Sequence, residues 1–134
     1  IVEGQVHGAT AHGIGAALME NCAYDDVGNL RTSTFSDYTP ITVLNMPTLR
    51  SGHLVSPSPF TYNGAKGMGE GGGTPLHTIC AALQDALHSS GIIINDSHNN
   101  AETIFQAMKR AQAGRGNGNV RVERRPASTS KKKK

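Results

Sequence analysis

Asn63-Gly64-Ala65-Lys66-Gly67-Met68-Gly69-Glu70-Gly71-Gly72-Gly73 is the most unusual stretch of this 134-residue chain. It sets one lysine and one carboxylate among six glycines, and Thr74-Pro75 follows as the N-cap and first-turn proline of a helix. Glycine-rich turns expose backbone N–H groups, and a helix N-terminus adds the positive end of its dipole. Together they suit an anion. The spacing Gly-x-x-x-x-Gly-Lys-Ser/Thr of a phosphate-binding P-loop is absent. Gly67 to Gly72 satisfies Gly-x-Gly-x-x-Gly, yet no strand leads directly into it and no acidic partner follows about 20 residues on. The residues leave two readings of Glu70 open. It is a surface carboxylate on a flexible loop, or a base that flanking glycines allow a substrate to approach closely.

Working outward, Leu76, Ile79, Leu83 and Leu87 (or Ala86) mark one face of a helix after the loop. Ile92-Ile93-Ile94 reads as a short buried strand. Asn100 caps a last helix that turns Ile104, Met108 and Ala111 inward. Upstream, Pro40, Pro47, Pro57 and Pro59 favour extended or irregular chain over residues 39–60, with a short strand over Leu49–Val55. Residues 22–35 read as a hairpin around the turn residues Asp25-Asp26-Val27-Gly28-Asn29. Residues 6–20 read as a helix despite Gly8, Gly13 and Gly15, each of which costs roughly 1 kcal/mol against Ala. A helix that keeps such residues is expected to pack very close to a neighbour or a ligand. The fold class expected is α+β, mixing short strands with packed helices.

The charge divides the chain. Residues 1–108 carry three basic and nine acidic residues, a net of −6, whereas residues 109–134 carry ten basic and one acidic, a net of +9. The overall +3 therefore belongs to the tail, and the body has no basic footprint for nucleic acid. The expected division is a folded region over 1–112 and a basic, disordered tail over 113–134, where large apolar residues are nearly absent. That tail reads as a solvated extension or, through its four terminal lysines, as a polyanion-binding arm.

No stretch approaches the ~20 apolar residues of a membrane helix. Cys22 and Cys80 form neither a disulfide scaffold nor a CxxC pair, which points to a reduced compartment. The chain opens on Ile1-Val2-Glu3-Gly4, without Met or a signal pattern, so it is expected to begin inside a longer protein. His7 and His12 are five apart rather than four, and the other histidines are scattered, so no metal-ligand set is expected.

Several of these segments, in this order, resemble the molybdenum hydroxylase family of xanthine dehydrogenase, aldehyde oxidase and carbon monoxide dehydrogenase. They are Gly4-Gln-Val-His-Gly8, His12-Gly-Ile-Gly-Ala-Ala-Leu18, Tyr24-Asp25, Thr34-Phe-Ser-Asp-Tyr38, Pro57-Ser-Pro59, Gly64-Ala-Lys-Gly-Met-Gly-Glu70 and Gln84-Asp-Ala-Leu87. The resemblance covers roughly residues 1–112 and is to the C-terminal part of the large, molybdopterin-binding subunit. It implies a molybdenum–molybdopterin cofactor, in the cytosine dinucleotide form usual for bacterial members with separate subunits. FAD and 2Fe–2S centres are then expected only on partner subunits or domains. It also implies oxidation of an aldehyde or N-heterocycle with oxygen taken from water, Glu70 acting as general base toward a molybdenum-bound hydroxyl. Gln5, Gly8, Lys66, Gly67 and Gly69 fall at cofactor-binding positions. The remainder of the molybdenum subunit, iron–sulfur and flavin subunits and a small-molecule substrate are the expected partners, in the cytoplasm. This chain alone is expected to be inactive, and an inactive fragment binding polyanions through its tail is the competing function. His12 stands where the family usually has Gln, and Gly71-Gly72-Gly73 replaces the usual Ala-Gly after the glutamate.

Overall fold

The computed structural model describes residues 1–113 and the backbone of residues 120–122; the side chains of residues 70 and 72–74 lie outside that description. Helix α1 spans Val2–Ile14 and runs on into a π turn, Gly15–Met19. A short helix α2 follows at Phe35–Tyr38, capped by Thr34, whose Oγ1 accepts from the Asp37 backbone N–H at 3.2 Å. Helix α3 covers Gly73–Leu87, strand β1 Ile92–Ile94, helix α4 Ala101–Ala113 and strand β2 Val120–Val122. The architecture is α+β, as expected.

One of the three glycines of α1, Gly13, is explained by contact. A β-carbon at Gly13 would fall 2.5 Å from the Pro75 Cβ and 2.7 Å from the Leu76 backbone nitrogen, so α1 lies directly on the first turn of α3. At Gly4 and Gly8 a β-carbon would meet nothing within 4 Å. One glycine is there for a neighbouring helix; the other two face open space.

Ile92 and Ala107 are fully buried and form the centre of a small core, with Leu87, Ile94 and Ala111 packed on them. β2 pairs parallel to β1, with Ile92 opposite Val120 and Ile94 opposite Val122. These three residues fall within the expected tail. Gln84 closes β1 from the α3 side. Its Nε2 donates to the Ile92 carbonyl at 3.1 Å and its Oε1 accepts from the Ile94 N–H at 2.7 Å, so one amide replaces a strand.

Four local expectations need correction. The glycine stretch is not loop throughout: Gly69–Gly72 forms a 3₁₀ turn that enters α3 at Gly73, so Thr74 lies inside the helix and not at its cap. No strand forms over Leu49–Val55, which is irregular with Leu54 and Val55 exposed; among the described residues no neighbouring strand offers it hydrogen bonds. The hairpin narrows to a single antiparallel bridge, Tyr24 with Leu30, around a tip organised by Asp25, while Thr34 and Phe35 already belong to α2. On α4 it is Ala107 that is buried, and Met108 is 40% exposed.

Candidate functional site

Gln5, Gly8, Ala9, His12 and Gly69 line a cleft of about 300 Å³ between α1 and the glycine segment. Residues 5, 8, 9 and 12 stand at i, i+3, i+4 and i+7, so one stripe of α1 forms the wall. The side chain of Gln5 spans to the opposite wall, where its Nε2 donates to the Met68 carbonyl at 3.4 Å. A second, larger cleft of about 470 Å³ is lined in part by Val2, Val6, His53, Lys66, Gly67 and Met68. Lys66 donates from Nζ to the Ser56 hydroxyl at 3.0 Å.

The residues picked out from the sequence therefore divide. Gln5, Gly8 and Gly69 converge on the first cleft, and Lys66 and Gly67 line the second. The Glu70 side chain lies outside the described residues; its backbone follows Gly69 within the 3₁₀ turn. His12, which the motifs do not single out, also lines the first cleft. Its signal was available, because it shares the helical stripe of Gln5 and Gly8. Among the described residues the groups lining the first cleft are an amide, an imidazole and glycine backbone. That donor set and the open space at Gly8 fit an anionic organic cofactor lying along α1. Among the described residues, no cluster of His, Cys, Asp or Glu could hold a metal ion by itself. Nor is any described helix long and apolar enough to cross a membrane.

The far end of α1 is held by polar contacts from distant segments. His98 Nδ1 donates to the Ala16 carbonyl at 2.9 Å, the Asn99 N–H to the Ala17 carbonyl at 2.6 Å and the Thr39 hydroxyl to the Met19 carbonyl at 2.9 Å. Below them, Tyr38 donates its phenol proton to Glu20 Oε2 at 2.7 Å, and the bond to that carboxylate holds the Tyr38 pKa above its ordinary value. Burial, partly offset by a bond from Asn99, raises the pKa of the Cys80 thiol on α3.

Residues 1–47 match the family model of a molybdopterin cofactor-binding domain. The chain is 39% identical over 111 residues to the nicotine 6-hydroxylase large subunit of Paenarthrobacter nicotinovorans, covering 81% of this chain and 14% of that protein. The chain belongs to the molybdenum hydroxylase family. Against the carbon monoxide dehydrogenase large chain of Hydrogenophaga pseudoflava, another member, identity is 33% over 112 residues, again covering 81% of this chain and 14% of the relative. The crystal structure of quinoline 2-oxidoreductase from Pseudomonas putida 86 superposes with a TM-score of 0.75 at 39% identity, over 81% of this chain and 14% of that one. This molybdenum hydroxylase chain thus spans about one seventh of the length of its relatives.

Proposed function

We propose that this chain builds one wall of the active site in an enzyme that oxidises an aldehyde or N-heterocycle, with the inserted oxygen taken from water. Of these substrates the N-heterocycle is favoured, because the two relatives at 39% identity are named for nicotine and quinoline. The single observation that carries the reading is the convergence of Gln5 and Gly8 on Gly69, the residue before Glu70, across one cleft. Molybdopterin, when bound, supplies the redox centre that takes two electrons from the substrate.

Gln5 offers its amide to the cofactor from the α1 stripe, His12 adds a ring nitrogen, and Gly8 leaves the space. Gly69, Gly67 and Lys66 present the glycine segment from the other side. Glu70 is the general base: its carboxylate takes the proton from the oxygen that is inserted, which raises the nucleophilicity of that oxygen. The cofactor carries a cytosine dinucleotide. Its pyrophosphate is met by backbone N–H groups, since residues 1–108 hold only three basic side chains. FAD and 2Fe–2S centres would belong to partner subunits or domains and would supply the onward electron transfer, with the rest of the molybdenum subunit closing the pocket, in an enzyme of the cytoplasm.

Two substitutions in the assembled enzyme test this. Glu70→Gln keeps size and hydrogen bonding but removes basicity, so molybdenum content stays near wild type while the rate of reduction by substrate falls at least ~10²-fold. Gln5→Ala does the opposite, lowering cofactor occupancy more than the rate per molybdenum. Near-normal turnover per molybdenum in Glu70→Gln removes Glu70 from the chemistry.

A further inference from the structure

The π turn Gly15–Met19 holds one residue more per turn than the helix it terminates. Its closing bond runs from the Glu20 N–H to the Gly15 carbonyl at 2.8 Å, and the carbonyls of Ala16 and Ala17 are taken by the loop before α4. A carbonyl only accepts, so the hydrogen of the bond to Ala16 sits on His98 Nδ1, and the tautomer is fixed. His98 Nε2 is buried without a partner among the described residues, a cost that an apolar side chain of similar size would avoid. What the ring contributes is the Nδ1 bond.

The loop that carries His98 is itself anchored. Asn99 is fully buried, and its Nδ2 donates to the Asp96 carbonyl at 2.7 Å and reaches Cys80 Sγ of α3 at 3.7 Å. The Gly13 contact fixes how closely α1 lies on α3; His98 and Asn99 fix the register at which α1 ends. Register matters because conversion of the π turn to an α turn would shift the helix by about 1.5 Å and turn it by about 100° relative to the chain beyond. Either change takes Gln5, Gly8 and His12 off the cleft.

We propose that His98 is a positioning residue for the cofactor cleft: its Nδ1 bond to the Ala16 carbonyl holds the π turn and so the register of the α1 stripe carrying Gln5, Gly8 and His12. The proposal rests on the reading of that cleft as the molybdopterin site. It acts over about 12 Å of helix, the eight residues from Gly8 to Ala16 at the α-helical rise, and His98 touches neither cofactor nor substrate.

The test compares His98→Asn with His98→Gln in the assembled holoenzyme, because an Asn amide nitrogen falls near the Nδ1 position and a Gln amide nitrogen near Nε2. The readouts are molybdenum and pterin content per folded enzyme and the melting temperature. His98→Asn is expected to retain cofactor content, and His98→Gln and His98→Leu to lose about tenfold, the lower end for removal of an outer-shell partner. Equal content in His98→Asn and His98→Gln overturns the proposal, whether both are full or both depleted. Gln5→Ala separates the two readings. If it depletes the cofactor while His98→Gln and His98→Leu do not, only the latch fails; if Gln5→Ala is also fully loaded, the cleft is not the cofactor site.

Discussion

A β-carbon at position 13 would sit 2.7 Å from a backbone nitrogen, and a backbone cannot rotate away as a side chain can. Gly13→Ala gains roughly 1 kcal/mol of helix propensity and meets overpacking of about 1–3 kcal/mol. The net effect is a loss, read as a lower denaturation midpoint of the assembled subunit. Gly8→Ala meets nothing within 4 Å and keeps the propensity gain. It should raise the midpoint while its methyl group narrows the cleft and lowers molybdenum content. Equal midpoints for the two variants would mean that α1 and α3 are not in contact at Gly13. At Asp25 the side-chain bond from Asn29, then its backbone N–H, hold the carboxyl below its ordinary 3.8. A folded pKa below the unfolded one contributes stability above the unfolded value, lost as pH falls through the folded one. An NMR titration should therefore find Asp25 protonating in more acid solution than an aspartate in an unstructured peptide, with the hairpin tip loosening only there.

At the scale of elements, what could be read in the sequence was what is local. Asn100 caps α4, as expected, its Oδ1 accepting from the Thr103 N–H at 2.9 Å. Asn100→Ala should cost about 1 kcal/mol and Asn100→Asp should restore most of it; thermal unfolding of the two variants in the assembled enzyme checks this. The helical face of α3 and the strand Ile92–Ile94 follow from apolar period and β-branching in the same way. The sequence points Met108 inward on α4, and the structure buries Ala107 instead, because a period of 3.6 does not separate neighbouring positions. The close approach of Ile92 selects the alanine. The π turn has no signature of its own; donors from residues 39, 98 and 99 hold it, and these are tertiary facts. In the candidate site, Gln5 and Gly8 were placed by motif and His12 by an overlooked period. The separation of Lys66 and Gly67 into a second cleft depends on the path of the chain through residues 66–69, which spacing does not encode.

Across the whole molecule, the apolar residues are arranged the wrong way round for a self-sufficient domain. Among the described residues the fully buried hydrophobic side chains are Ala17, Ile92 and Ala107, while Leu44, Leu54, Phe60 and Tyr62 are each more than 90% exposed. Fully burying a large apolar side chain contributes about 1.5–3 kcal/mol. Four such residues left in water forfeit roughly 6–12 kcal/mol, as much as the entire net stability of an ordinary domain. All four lie between residues 44 and 62, ahead of the glycine stretch, and Leu54 lines the second cleft. The curated relatives extend about seven times further than this chain, and cover of these side chains by the remainder of such a subunit is the prediction to test. Expressed alone, the chain should therefore aggregate or bind a hydrophobic dye such as ANS, and co-expression with the remainder of the molybdenum subunit should suppress both. Leu54→Ser and Phe60→Ser should improve the solubility of the isolated chain and weaken its recovery with the remainder. A sharp, cooperative unfolding transition of the isolated chain, without dye binding, would show instead that the exposed apolar segment needs no cover.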